Sequence, residues 1–382
     1  MNNILDTKYV GVNDHDIDLF EGQYIVPNGM AYNAYIILDK KIAVVSTVDE
    51  KFSQKWLNNV ESALAGKKPD YLIVQHMEPD HSASIDEFMK KYPETIVVST
   101  MQAFVMMKQF FKTDYANNRI IVKDGDTLSL GSHNLKFITA PMVHWPEVVM
   151  FFDEASNTLF SADAFGKFGA LDIDEEWACE ARRYYIGIVG KYGAQVQALF
   201  AKLGGLNIKN ICPLHGPILS ENLEYYLNLY QTWSTYGVES EGVMIAYTSI
   251  YGNTKKAVEI LQNELESFGL KVAVNDLARC DMAEAVEDAF RYGKIVFATT
   301  TYNNEVFPFM RNFLEELVER NFQNKTIGII ENGTWSPQAA RIIKQKLEGC
   351  KNLTILDQVV TIKSAVSEEN IESLKILASK LK

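Results

Sequence analysis
The chain has 382 residues, enough for two domains, with 47% hydrophobic and 23% charged residues and a net charge of −12. That balance supplies ordinary globular cores and argues against nucleic-acid binding. No signal-peptide core and no run of ~18 apolar residues occurs, and Cys179, Cys212, Cys280 and Cys350 form no C-x-x-C pair. The expectation is a cytoplasmic protein of a reducing compartment, with no membrane and no nucleic-acid partner.

The first 240 residues predict short strands between turns and helices. Strands are expected over 31–38 and 42–47 around a DKK turn, then over 71–75 and 95–100. DTLSLGSHNLKFITA and VVMFFDEASNTLFSA each read as two strands around a polar turn. Helical patterns cover 54–64 and 85–91, and a closing helix covers 221–237. This half reads as α+β, a layered sheet domain. ESEG, residues 239–242, reads as a polar linker.

After it the alternation is regular. Strands are expected over 243–247, 270–275, 294–299, 326–331 and 353–362, each followed by a helix. In 255–268, Ala257, Ile260, Leu261 and Leu265 share one stripe, and Gly269 stops the helix. Repeated β-α units predict an α/β domain with a doubly wound parallel sheet. The expected division is 1–240 and 241–382.

QHMEPDHSAS places His76, Glu78, Asp80 and His81 directly after the strand at 71–75. His144, Asp163 and His215 follow three later strands in the same manner. Side chains at strand ends are held rigidly at a sheet edge, where α/β proteins place their sites. Four imidazoles and three carboxylates exceed one tetrahedral ion and suit two ions sharing a carboxylate. Asp163, alone on its segment, is the expected bridge. His15 and His133 lie in polar turns and are expected at the surface.

TSIYGNT, residues 248–254, follows a strand and opens a helix. It matches neither G-x-x-x-x-G-K nor G-x-G-x-x-G, so a triphosphate or dinucleotide loop is excluded. The hydroxyls of Thr248, Ser249 and Thr254, with N–H groups at the helix start, can cradle one phosphate without a lysine or arginine. Tyr302 and Trp335 follow the next strands amid Asn, Gly and Thr, which suits aromatic stacking on a ring.

The H-x-E-x-D-H segment with later His, Asp and His resembles the metallo-β-lactamase superfamily, whose zinc hydrolases carry histidine where Glu78 stands. Mixed nitrogen and oxygen donors with open positions suit iron over zinc. TSIYGNT closely resembles the phosphate loop of flavodoxins. Together the two halves resemble the flavodiiron proteins over essentially the whole chain. The expected fold is therefore a metallo-β-lactamase-like αβ/βα sandwich followed by a flavodoxin-like domain.

The resemblance implies FMN and two non-haem iron ions. One iron would take His76, Glu78 and His144, the other Asp80, His81 and His215, with Asp163 between them; His81 is the ligand on which family members differ. FMN would meet Thr248, Ser249, Ile250, Tyr251, Gly252, Asn253 and Thr254, then Thr301, Tyr302, Asn303 and Asn304, then Gly333, Thr334 and Trp335. The implied reaction is reduction of dioxygen to water, nitric oxide to nitrous oxide, or both. Electrons would come from an external donor, a rubredoxin or a reduced deazaflavin, since the chain carries no rubredoxin module. The implied assembly is a head-to-tail homodimer or a dimer of dimers.

The chain departs from the family at Glu21, which stands where many members have the histidine of F-H-G, and which would shift the choice of gas if it reached the pocket. Ser46 stands where hydrolase relatives carry an acidic residue. Tyr192 in GKYG is a candidate pocket residue with Glu78 and Asp163. Two other readings compete: a di-zinc hydrolase with an accessory flavodoxin domain, which histidine at 78 would have favoured, and an electron carrier with a vestigial metal site, which the complete ligand set disfavours.

Overall fold
The computed structural model describes residues 4–382 and divides into two compact units. Unit one comprises Met1–Tyr185 with Ala194–Tyr230; unit two comprises Ile186–Gly193 with Gln231–Lys382.

Unit one is built on two sheets. The first runs, in spatial order, Thr7–Tyr9, Tyr35–Ile37, Ala43–Val45, Tyr71–Ile73, Ile96–Ser99, Arg119–Ile121. The second runs Thr127–Ser129, Asn134–Thr139, Val149–Asp153, Thr158–Phe160, Asn210–Cys212. Their inner faces share one core: Tyr35, Ile37, Val45 and Ile73 on one side, Leu135, Phe137, Phe151 and Phe160 on the other. Phe151 and Phe160 stack across neighbouring strands at 4.5 Å.

Helices close the outer side of the first sheet because their apolar residues recur at helical spacing. Ser53–Leu64 buries Trp56, Leu57, Val60 and Leu64, and Ile85–Lys91 buries Ile85, Phe88 and Met89. Trp56 meets Phe88 at 5.6 Å. The expected strand over 31–38 is broken into Met30–Tyr32 and Tyr35–Ile37. Asn33 causes the break: its backbone N–H donates to Leu214 O and its side chain to Pro213 O and Gly216 O, which ties this strand end to the loop of His215.

Unit two is a five-stranded parallel sheet in the order Val272–Asp276, Ser240–Tyr247, Tyr292–Tyr302, Thr326–Asn332, Thr354–Ile362, with the short Glu305–Val306 paired to the third of these. Helices Asn253–Ser267 and Glu368–Leu381 bury Leu261, Leu265, Leu374 and Leu377 against it. The strand order reverses beside Ser240–Tyr247, so the carboxyl ends of that strand and of Tyr292–Tyr302 open a crevice at the topological switch. Of the expected linker at 239–242, Ser240 to Gly242 are already part of a strand, with a bulge between Ser240 and Val243. Among the described residues no helix is long and apolar enough to cross a membrane.

His133 does not lie at the surface. Its ring is buried, with Nδ1 2.9 Å from Asp153 Oδ2, on the neighbouring strand Val149–Asp153. The turn looks polar in sequence, but a buried carboxylate from a nearby strand partners the Nδ1 of the imidazole. His15, as expected, is exposed.

Candidate functional site
The loop after Tyr71–Ile73 is pinned on several sides before any metal donor is considered. Gln75 Nε2 donates to Phe160 O at 2.9 Å, Ser82 Oγ to Met77 O at 2.8 Å, and Thr47 Oγ1 to His81 O at 2.8 Å. Pro79 does not merely open a loop; it starts the helical turn Pro79–Ser82 that carries Asp80 and His81. The turn gives those two side chains a different direction from His76 and Glu78.

The donors fall into two groups: His76, Glu78, His144 and Asp163, and Asp80, His81 and His215. In the first, Glu78 Oε2 lies 3.2 Å from His76 Nε2 and 3.0 Å from His144 Nε2. Asp163 Oδ2 lies 3.3 Å from His76 Nε2 and 3.2 Å from His144 Nε2. In the second, Asp80 Oδ2 is 3.3 Å from both His81 Nε2 and His215 Nε2, which are 2.9 Å apart. Asp163 Oδ1 is 3.3 Å from His81 Nε2. One carboxylate therefore turns one oxygen to each group.

These spacings fit cations. Donors about 2.1 Å from one ion stand about 3.0 Å apart in an octahedral and about 3.4 Å apart in a tetrahedral arrangement. Tautomers point the same way. His76 Nδ1 lies 2.8 Å from Glu147 Oε1, and His215 Nδ1 lies 2.7 Å from Ala31 O, so both rings donate backwards and turn Nε2 inward. Both oxygens of Asp80 and of Asp163 are buried without a hydrogen-bond donor. So many inward acceptors repel one another unless positive charge sits among them.

Protons show the same demand. Burial opposes charge on His76, but Asp163, Glu147 and Glu78 outweigh it and hold the ring well above the ordinary imidazole range. Burial likewise opposes charge on His144, yet Asp163 and Glu78 lift it to about 9. Burial pushes the Asp163 carboxyl up, but His76, His144 and His81 hold it well below the usual range.

Strained backbone surrounds these donors. Ala162, directly before Asp163, and Met142, two residues before His144, have left-handed φ of 49° and 64°. Glu21 is left-handed as well, φ 50°, at the tip of the hairpin Leu19–Phe20 and Tyr24–Ile25. The residue is exposed and its Oε2 accepts from Gln23 Nε2 at 3.3 Å; burial of its carboxyl, then the Glu78 charge, push it up to about 7. Glu21 thus stands close enough to Glu78 to feel its charge. Ser46 is buried and contributes no carboxylate.

Tyr192, half-buried in the turn Gly190–Tyr192, is grouped with unit two. The tyrosine packed on the donors is Tyr184, whose ring lies 5.5 Å from His215. Its hydroxyl is buried without a partner, and burial, with Asp163, Glu78, Asp80 and Glu21 around it, raises it well above the ordinary phenol range. Phe20 stands edge-on to His215 at 5.5 Å and Trp145 edge-on to His76 at 5.1 Å. Neither the strand-end pattern nor ligand chemistry marks Tyr184, because its approach to the donors is tertiary.

In unit two a cavity of ≈ 700 Å³ opens at the switch point. That volume suits a small-molecule ligand. Ser249, Ile250, Tyr251, Asn253 and Thr254 line it from the first loop, Thr301, Tyr302, Asn303 and Asn304 from the second, and Gly333, Thr334 and Trp335 from the third. Thr300, Asn332, Ser336 and Ser364 complete the lining. Thr248 and Gly252 stand behind it. Thr248 continues the strand ladder to Ala298 O and bonds Thr299 Oγ1 at 2.6 Å, while Gly252, φ 87°, caps the helix.

Ser249 Oγ accepts from the N–H of Gly252 at 3.1 Å and of Lys255 at 3.3 Å. The N–H groups of Asn253 and Thr254 start the helix with no carbonyl a turn behind them, ready for an anion. No lysine or arginine lines the cavity among the described residues. The aromatics are not core: Tyr251 is 93%, Trp335 80% and Tyr302 45% exposed. Thr300 Oγ1 is buried there without a partner. Free hydroxyl, helix-start N–H groups and open aromatic faces fit a flat ring bearing one phosphate.

Two known families match the two parts of the chain. The ODP family of β-lactamases matches residues 30–216, and the flavodoxin family matches residues 245–375. An anaerobic nitric oxide reductase flavorubredoxin from Salmonella paratyphi A is 29% identical over 353 residues, covering 89% of this chain and 73% of that protein. Along both of its parts this chain is similar to the flavodiiron proteins. Among solved structures, the rubredoxin oxygen:oxidoreductase of Desulfovibrio gigas is similar with a TM-score of 0.92 at 24% identity, covering 100% of this chain and 97% of that one. The flavodiiron protein of Giardia intestinalis is similar with a TM-score of 0.92 at 24% identity, covering 98% and 94%. At that identity both likenesses speak to the flavodiiron fold, an N-terminal β-lactamase-like domain and a C-terminal flavodoxin domain.

Proposed function
We propose that this chain is a flavodiiron protein that reduces dioxygen to water, nitric oxide to nitrous oxide, or both, at a non-haem di-iron centre, with FMN passing on electrons from an external donor. The observation that carries the proposal is Asp163, one oxygen toward each donor group, together with a carboxylate, Glu78, among imidazoles. When bound, the irons supply open positions for a small gas, and FMN supplies the electrons.

The chain's own residues do the rest. His76, Glu78 and His144 would hold one ion, Asp80, His81 and His215 the other, with Asp163 common to both. Phe20, Tyr184 and Trp145 wall the donors with apolar surface and limit water. Tyr184 keeps its proton and presents an O–H with no other acceptor, so it can hydrogen-bond a small ligand beside His215. In unit two, Asn253 and Thr254 N–H groups and the Ser249 loop would take the phosphate, and Tyr302 and Trp335 would flank the ring.

The named relatives, a nitric oxide reductase and a rubredoxin oxygen:oxidoreductase, support both gases and a rubredoxin donor; a reduced deazaflavin is the other donor that suits FMN. We place the enzyme in the cytoplasm as a homodimer. The test is anaerobic purification, measurement of iron, zinc and FMN per chain, then supply of a reduced donor and recording of both gases. About two irons and one FMN per chain with rapid consumption is expected. Zinc with no gas consumption would overturn the proposal in favour of a hydrolase.

A further inference from the structure
Three of the metal-facing imidazoles, His76, His215 and His81, differ in what stands behind them. His76 Nδ1 lies 2.8 Å from Glu147 Oε1, and the same oxygen accepts from the Met77 N–H at 2.8 Å. Glu147 is buried, and its Oε2 has no partner. No cationic side chain is paired with it among the described residues apart from His76 itself. His215 Nδ1 has only a neutral acceptor, Ala31 O. His81 Nδ1 is buried with no partner at all. The three rings are thus backed by a carboxylate, by a carbonyl and by nothing.

We propose that Glu147 is a positioning residue that makes the position of His76, Glu78 and His144 the tighter of the two metal positions. The inference rests on the di-metal reading above. A carboxylate behind an imidazole fixes its tautomer, holds the ring's orientation and raises the basicity of the inward nitrogen. Glu147 does all three for His76, and its second contact, to Met77 N–H, locks the backbone one residue before Glu78. Each position otherwise has one carboxylate of its own and one oxygen of Asp163, so they match in first-contact anions. The buried charge of Glu147 breaks that balance, because it is compensated best by a dication on the far side of His76. His81, with no support at Nδ1, must be ordered by the metal itself, which weakens its position.

The test uses the full chain with FMN retained and metals removed, titrated anaerobically with Co(II) and followed by calorimetry. The wild type should take up two Co(II) in steps separated by at least roughly tenfold. E147A should weaken only the tighter step, by roughly 10–100-fold, so that the two steps merge. E147Q keeps an acceptor for both His76 and Met77 N–H but removes the charge, and should weaken that step less than E147A. If E147A loses FMN or its circular dichroism, E147Q decides. Two equal steps in the wild type, or a loss shared equally by both steps in E147Q, overturns the inference. Uptake of fewer than two Co(II) by the wild type would instead count against the di-metal reading itself.

Discussion

Replacing Asp163 with asparagine tests the centre at its common point. The side chain is fully buried; its Oδ2 lies 3.3 Å from His76 Nε2 and 3.2 Å from His144 Nε2, its Oδ1 3.3 Å from His81 Nε2. Asparagine keeps the shape but removes the charge, and one of its two ends becomes an NH₂ donor that cannot ligate. One donor group keeps a neutral oxygen; the other loses its shared ligand. Removing one charged partner from a buried set costs about 3–5 kcal/mol, or roughly 10²–10⁴ in affinity. Anaerobically purified Asp163→Asn should therefore carry at most one iron per chain while FMN stays at the wild-type level. The assay is metal and flavin content before and after dialysis against a chelator. Two irons held as firmly as in the wild type would refute the bridging role. Loss of FMN together with iron would show that the substitution had unfolded the chain, and the affinity argument would fail with it.

Ser249→Ala removes the acceptor of two loop N–H groups, worth about 1 kcal/mol, so the FMN dissociation constant should rise about fivefold in a fluorescence titration. An unchanged constant would mean the loop is ordered without that hydroxyl. Trp56→Ala empties a fully buried site against Phe88 and should destabilise unit one by about 3–5 kcal/mol in urea, with FMN binding intact. Lys325 bears on pH: burial lowers its ammonium from 10.5 to about 7. Between those values the unfolded chain holds a proton the folded one lacks, so stability rises with pH over that window and is lost as pH falls from about 10.5 to about 7. The full change is about 5 kcal/mol; Nζ donates at 2.7 Å to Phe290 O and Tyr292 O, which favours the ammonium, so we expect about 2 kcal/mol between pH 7 and 9.5. Urea midpoints of unit two should show that rise in the wild type and a flatter response in Lys325→Met; parallel slopes would contradict a neutral lysine.

The sequence by itself determined which ligand-type side chains stand just after strand ends. His76, Glu78, Asp80, His81, His144, Asp163 and His215 were legible because each follows a strand end, and a strand end is rigid wherever the strand goes. Ser249 to Thr254 were legible as a loop that opens a helix for a related reason: a helix start with free N–H groups is local geometry. The regular β-α alternation after residue 240 likewise announced a parallel sheet, since hydrophobic period is a local property.

Tertiary structure alone decided how those residues are partnered. Asp163 shows its division between two donor groups only when four distant loops converge. Glu147 and Tyr184 act on the site across long sequence separations, and nothing in EVVMFF or RRYYIG marks them; Glu21 was singled out only by the family resemblance, and its neighbour Glu78 is decided by tertiary structure. His133 was misjudged for the same reason, because its buried partner Asp153 comes from a neighbouring strand. Thr248 sits in the expected loop but spends its hydroxyl on Thr299, a pairing set by strand register. Side-chain type and local spacing can be read along one dimension; the environment that fixes a tautomer, a burial or a second partner is made only when separate strands are brought side by side.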